Sequence, residues 1–153
     1  MSKLELRVPP VVVVIACAAV MWLVARAVGP SALRTEARIA IAAALALAGL
    51  ALAFAGIREF RAARTTFNPM HPEQAVAMVT GGIYRFTRNP MYLGLALLLL
   101  AFVVRLSVWP GVIVVLLFVA YMNRFQIRPE EAALEARFGD TAREYRRTVR
   151  RWI

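Results

Sequence analysis

The residues best suited to chemistry lie in a polar segment, residues 81–94, that leads into a long apolar run. The segment holds three glycines, two arginines and two tyrosines, and an Asn89-Pro90 step begins the apolar run. Asparagine is a favoured N-cap and proline suits the first helical position, so the step predicts a helix start capped by Asn89. The free N–H groups of such a start attract carboxylates. A helix that only crosses a bilayer needs no such segment, so we expect a charged ligand here.

Two adjacent acids, Glu130 and Glu131, form a second candidate cluster at the predicted start of a later helix. Carboxylates suit the cationic groups of a ligand, whereas the Arg88 guanidinium suits a carboxylate. The rings of Tyr84 and Tyr92 offer faces for an aromatic ring or a cation. Taken singly, each of these residues also fits an ordinary role, as a solvated helix start, a membrane anchor or an aromatic-belt residue. The combination favours a binding site.

Other kinds of site have little support in the sequence. The chain has one cysteine, Cys17, and one histidine, His71, which predicts neither a disulfide framework nor a metal site. No strand pattern is followed by a glycine-rich turn, so a Rossmann-type dinucleotide site is excluded.

These candidate residues must be positioned by membrane helices. With 61% hydrophobic residues in 153, the composition predicts one all-α membrane domain spanning residues 1–153. Apolar runs of ~20 residues match a hydrocarbon core of about 30 Å. We predict four transmembrane helices, at about 9–28, 39–57, 90–105 and 108–123. The third and fourth are expected to form a hairpin, with a loop at 58–89 and further helices at 128–153.

The distribution of basic residues predicts the orientation. The net charge of +10 comes from one lysine and eighteen arginines. Four spans with both termini cytoplasmic place fifteen of these residues inside and four outside, as the positive-inside rule requires. We therefore expect an integral membrane protein, of a bacterial inner membrane, in which the polar segment and the basic C-terminal helices share the cytoplasmic side.

Two finer patterns concern helix packing and the basic tail. Gly49, Ala53 and Gly56 predict a small-residue face on the second span for close helix packing. Residues 74–79 are expected to form a short helix. A last helix is predicted to begin with a capping box at residues 141–144. This helix is expected to present Tyr145, Val149 and Trp152 on one apolar face. Such a basic amphipathic helix is expected to lie on an anionic leaflet.

The two candidate clusters together resemble the signature of an integral-membrane methyltransferase superfamily. Its members include isoprenylcysteine carboxyl methyltransferases and phospholipid N-methyltransferases, and the resemblance covers roughly residues 65–153. The matching residues are Tyr84-Arg85, Arg88-Asn89-Pro90-Met91-Tyr92-Leu93-Gly94, Glu130-Glu131 and Leu134. The resemblance implies S-adenosylmethionine as cofactor and Arg88 as the candidate catalytic residue. It also implies a set of cofactor-binding residues: Tyr84, Arg85, Asn89, Tyr92, Leu93, Gly94, Glu130 and Glu131.

Two positions depart from the family pattern. Many relatives have histidine where this chain has Asn89, and bacterial relatives often have tyrosine where Ala142 stands. Asparagine can hydrogen-bond but cannot exchange a proton near neutral pH. We therefore expect Asn89 to position ligands and not to act as a base.

The expected function is methylation of a lipophilic substrate at the cytoplasmic membrane face. A carboxylate acceptor, as in isoprenylcysteine carboxyl methyltransferases, is favoured because it needs no general base. Methylation of a phospholipid headgroup amine is the alternative, and a non-enzymatic membrane anchor with a degenerate pocket is a further one. A sterol-type reductase is disfavoured, since the chain is too short to enclose a dinucleotide and a polycyclic substrate. Membrane lipids are the expected partners, nucleic acid is not expected, and an oligomer is permitted. Replacing Glu131 by glutamine is expected to weaken cofactor binding and leave the fold intact.

Overall fold

The computed structural model describes residues 5–28, 35–66, 68 and 70–153. The predicted all-α class is confirmed for these residues, among which no strand occurs. Their α-helices are α1 (Pro10–Val28), α2 (Thr35–Ala62), α3 (Pro90–Leu106), α4 (Gly111–Tyr121), α5 (Arg128–Phe138) and α6 (Asp140–Thr148). Two short 3-10 turns, Pro72–Gln74 and Gly82–Arg85, lie between α2 and α3.

Three continuous helices are long and apolar enough to cross a membrane: Pro10–Val28, Thr35–Ala62 and Gly111–Phe138. Helix α3 is also apolar but has 17 residues. At ~1.5 Å per residue it measures about 26 Å, slightly less than a hydrocarbon core of about 30 Å. Residues 107–110 join α3 to α4, and the two helices contact each other. Whether α3 crosses as half of a hairpin therefore stays a prediction.

The last long helix does not end near residue 123, where the predicted span ends, but continues to Phe138. A π-helical turn, Met122–Ile127, joins α4 to α5 without a break. The polar residues after 122 resemble a helix end in the sequence, but several of them face the protein interior. Gln126 and Glu131 are only 2% and 9% exposed. Because a π turn holds an extra residue, it changes the direction in which the following side chains point.

Close packing of α2 against α3 confirms the predicted small-residue face. A Cβ atom added to Gly94 would lie 2.5 Å from the Gly49 carbonyl oxygen and 3.3 Å from the Ala53 Cβ. One added to Gly56 would lie 2.9 Å from the Met91 Cγ. In lipid, such contacts hold helices together through van der Waals packing, since apolar surface alone gives no drive for association. The start of α3 is thereby fixed against the end of α2.

The buried core lies among α1, α3, α4 and the π-helical turn. Its members are Met21, Tyr92, Ala96, Leu99, Val103, Val115, Phe118, Met122 and Ile127. Many other apolar side chains of α1, α2 and α4 are exposed, which a membrane helix tolerates because lipid covers them.

Three local predictions for the polar regions are wrong. No capping box forms at residues 141–144, because α6 begins at Asp140 and no side chain caps it. Helix α6 ends at Thr148, and Val149 is extended with φ −117° and ψ 135°, so residues 145, 149 and 152 do not share a helical face. Trp152 packs against the core instead. Between α2 and α3, the helical turn covers only Pro72–Gln74 and not residues 74–79, and residues 67 and 69 of this loop lie outside the described residues.

Candidate functional site

The polar segment before α3 is held by the end of α2. Gly82 has φ +54°, which favours glycine, and an added Cβ would lie 2.4 Å from the Glu59 Cδ. The 3-10 turn that follows buries Tyr84, whose ring meets the Phe60 ring edge-on at a centroid distance of 5.5 Å. The Tyr84 carbonyl oxygen accepts a 2.7 Å hydrogen bond from the Tyr145 hydroxyl. The segment from Gly82 to Tyr84 therefore contacts both α2 and α6 just before the start of α3.

Burial raises the pKa of both phenols in this contact, Tyr84 and Tyr145. Loss of a proton would leave a charge in a poorly hydrated environment, so both hydroxyl groups stay neutral near pH 7. They are available as hydrogen-bond donors and not as bases.

Asn89 occupies the predicted cap position of α3, and Pro90 is the first helical residue. The Asn89 side chain does not cap the helix, contrary to prediction. Its Nδ2 donates instead to the Arg151 carbonyl oxygen at 2.9 Å. The reason is the approach of residues 150–152, which supply an acceptor that sequence reasoning did not place near α3.

Glu131 is the centre of a buried ion network. Its Oε1 accepts from Arg88 Nη2 at 2.9 Å and from Arg151 Nε at 3.1 Å, and its Oε2 accepts from Arg151 Nη2 at 2.6 Å. Arg146 lies 3.8 Å away. The carboxylate therefore has protein cations as partners already. Replacing it by glutamine would leave buried arginines uncompensated, so the expectation that this change spares the fold is not supported.

The Arg88 guanidinium is also largely committed to the protein. Its Nη1 donates to the Arg146 carbonyl oxygen at 2.7 Å, and burial lowers the pKa of Arg88, with Glu131 opposing that shift. Its Nε is buried and has no hydrogen-bond partner in the described part of the chain. An unsatisfied buried donor is costly unless a ligand pairs with it.

Glu130 has different surroundings from its neighbour. Its Oε1 accepts from Gln126 Nε2 at 2.7 Å and from the Tyr92 hydroxyl. Both donors are neutral, and no arginine of the described ranges pairs with Glu130. Its Oε2 has no hydrogen-bond partner among these same residues. A carboxyl group held in this way has no charged partner in the described part of the chain, and a cationic ligand would supply one.

These residues line one cavity, which contains about 930 Å³ of space not filled by protein atoms, part of it open to solvent. Its polar wall is formed by Tyr84, Arg88, Asn89, Tyr92, Glu130, Glu131, Tyr145 and Arg146. Its apolar wall includes Phe60, Ala75, Ala77, Met78, Val79, Met91, Leu134 and Ala142. The cavity thus has both charged and apolar residues in its lining, as a ligand with both characters requires.

Part of the apolar wall comes from the loop between α2 and α3. The Thr65 hydroxyl accepts from the Val76 N–H at 2.8 Å and from the Ala77 N–H at 3.3 Å. Arg137 Nη1 donates to the Glu73 carbonyl oxygen at 2.9 Å, which ties the loop to α5. Sequence reasoning missed this wall because these residues carry no chemical pattern.

The structure brings together six of the nine predicted site residues, and the other three lie outside the cavity lining. Arg85 is exposed, and Gly94 packs against Gly49. Leu93 follows Tyr92 on α3 but does not line the cavity. Of these three positions, Gly94 serves the packing of α3 against α2. Sequence reasoning missed Tyr145 of α6, which does line the cavity.

Two comparisons with known proteins give a match to this chain. The sequence model of the phospholipid methyltransferase family matches residues 37–141, from α2 to the first residues of α6. An uncharacterized protein of Haemophilus influenzae is 47% identical over 66 residues, which are 41% of this chain and 100% of that protein. No solved structure gives a significant match to the chain.

Proposed function

Since the chain belongs to the phospholipid methyltransferase family, we propose that it uses S-adenosylmethionine to methylate a lipophilic acceptor at the membrane face. The family makes it a membrane methyltransferase. The cofactor and the acceptor are proposals, and the chemistry of the cavity supports both.

The residues of the cavity fit the cofactor's charges. S-adenosylmethionine carries a sulfonium, an ammonium and a carboxylate, and when bound it supplies an electrophilic methyl group. Glu130 offers a carboxylate oxygen to a cationic centre. The unpaired Nε–H of Arg88 offers a donor to a carboxylate. The apolar wall around Phe60 and Met78 suits an adenine ring.

Glu130 is the observation that carries the proposal. Glu130 is a partly buried carboxyl group whose donors are all neutral, so it lacks a counter-ion in the free protein and a cationic ligand would supply one. Tyr92 and Gln126 fix its position through Oε1, and Glu130 lines the cavity. Such fixed placement favours reaction because the groups need little reorganisation.

We infer that the acceptor is a headgroup amine. The expectation that Arg88 orients a substrate carboxylate has weaker support, because Glu131 and the Arg146 carbonyl group already occupy both terminal nitrogens of Arg88. An amine arrives as an ammonium ion, which Glu130 attracts and from which it accepts a proton. The apolar wall of the cavity suits the lipid part of the acceptor.

A carboxylate acceptor is the second candidate, and one observation favours it. The buried Arg88 Nε lacks a partner among the residues that the structure describes, and a substrate carboxylate would satisfy it. This acceptor needs no base, so Glu130 would then serve only the cationic centre of the cofactor.

The test is binding and transfer by the purified full chain in detergent. We expect S-adenosylmethionine to bind by calorimetry, and Glu130→Gln to weaken its affinity about tenfold or more, since a neutral amide loses the attraction for a cation. Glu144→Gln is the control, because that side chain is 67% exposed and its pair with Arg147 is 4.0 Å long. Equal affinities of the two variants would contradict the role of Glu130.

Transfer of a labelled methyl group to membrane lipids separates the acceptors. N-methylated ethanolamine lipids, detected by mass spectrometry, would support the amine, and methyl esters would support the carboxylate. If the intact protein binds no S-adenosylmethionine, the enzymatic proposal is wrong and the non-enzymatic anchor takes its place.

A further inference from the structure

Residues 149–152, here called the strap, leave α6 and lie across the start of α3. The Arg150 carbonyl oxygen accepts from the Arg88 N–H at 3.0 Å. The Arg151 carbonyl oxygen accepts from Asn89 Nδ2 at 2.9 Å. Two residues of the predicted site are therefore held by the backbone of the strap.

The side chains of the strap connect it to the opposite wall of the cavity. Arg151 contacts both carboxylate oxygens of Glu131, at 2.6 and 3.1 Å. Trp152 Nε1 donates to Asn123 Oδ1 at 3.1 Å, and the Trp152 ring packs against the buried core. The strap thus joins α3 to the helix Gly111–Phe138, and Arg151 makes contact with both.

We propose that Arg151 is a positioning residue that orients Arg88 by holding the carboxylate of Glu131. A two-point contact with a guanidinium fixes the plane of a carboxylate. Oε1 of that fixed group is the atom that accepts from Arg88 Nη2. Without Arg151, Glu131 is free to turn toward Arg146, which lies 3.8 Å away, and Arg88 loses its fixed partner. Arg151 does not line the cavity, so it acts only through these residues.

The ligand test rests on the proposed function and uses S-adenosylmethionine with the purified full chain. We expect Arg151→Ala to weaken binding about tenfold, and Arg151→Lys to recover part of that loss, because one ammonium group can reach only one carboxylate oxygen at a time. Arg147→Ala is the charge-matched control, because the Arg147 side chain is 78% exposed. The affinity of this variant for S-adenosylmethionine should equal that of the unmodified chain. If Arg151→Ala also binds as the unmodified chain does, the proposal is wrong.

A double variant tests the route of the effect. If Arg151 acts by orienting Arg88, then Arg151→Ala should cause no further loss of affinity in an Arg88→Ala background, in which Glu131 keeps its pairs with Arg151 and Arg146. Additive losses would show that Arg151 acts independently of Arg88 and would overturn the proposal. A general loss of structure would also give additive losses, so this readout separates positioning from folding.

Hydrogen exchange gives a readout that needs no ligand. Arg151→Ala should exchange faster than Arg147→Ala at the amides of residues 88–93, where the strap holds the start of α3. Equal exchange in the two variants would overturn the proposal. If the unmodified chain binds no S-adenosylmethionine, the proposed function fails on its own, and the exchange rates still decide the role of Arg151.

Discussion

Glu130 and Glu131 are adjacent in sequence but have different electrostatic surroundings. Glu131 is neutralised by arginines, whereas Glu130 accepts only from neutral groups. The sequence indicates that both acids belong to the site. It does not indicate which one lacks a charged partner, because Arg88, Tyr92 and Arg151 lie about twenty to forty positions away in the sequence. The identities of the site residues were therefore predictable, whereas their division of roles depends on tertiary contacts.

At the same scale, the two adjacent glycines of the polar segment should differ in tolerance to alanine. We expect Gly82→Ala to lower the free energy of unfolding by about 2 kcal/mol, because φ is +54° there and the new methyl group would meet Glu59. Gly81→Ala should be nearly neutral, since its methyl group would lie 3.8 Å from the Glu59 carboxylate. Thermal or denaturant unfolding in detergent measures both, and similar losses in the two variants would contradict the assigned contact.

The helices show where hydropathy and periodicity predict correctly and where they do not. The apolar runs of α1 and α2 and the Gly49–Gly94 contact follow from composition and small-residue spacing. The π-helical turn does not, because nothing in residues 122–127 distinguishes it from an ordinary helix end. Its polar side chains resemble solvated ones, yet Gln126 is buried against Glu130.

The π-helical turn should be essential for placing the acidic pair. Deleting Arg124 from it would rotate α5 by about 100° relative to α4, since each helical residue turns the chain by that angle. We expect this deletion to abolish cofactor binding while the helical content measured by circular dichroism is retained. Arg124→Ala removes the same side chain and its surface pair with Glu5 but keeps the register, so it should bind normally. Equal binding by both variants would show that the register is not critical.

For the whole molecule, the charge distribution and the site both predict which parts of the chain lie on the same side of the membrane. The cavity is built from the loop before α3, from α5 and from α6, so these parts must share one aqueous side. Composition predicted this arrangement through the positive-inside rule. The cavity itself was not predictable in shape, because its wall combines residues from positions 60 to 146 that only the packing of α2, α3 and α5 brings together.

Surface labelling can directly test the last two of the four predicted crossings. In a Cys17→Ala background, single variants Val76→Cys, Trp109→Cys and Glu144→Cys place thiols at exposed positions around α3 and the last long helix. A membrane-impermeant maleimide applied to right-side-out vesicles should label only Trp109→Cys, and inside-out vesicles should give the opposite result. Labelling of Val76→Cys and Trp109→Cys from the same side would show that α3 does not cross.

The strap also has a consequence for biosynthesis. Ribosomes produce α1 to α4 well before residues 150–152 emerge, and helices that enter the bilayer early can pack through Gly49 and Gly94 without them. The contacts to Arg88, Asn89 and Glu131 form only when those late residues have been translated. A nascent polypeptide without these residues would therefore occupy the bilayer before the start of α3 and Glu131 have gained the contacts that fix them.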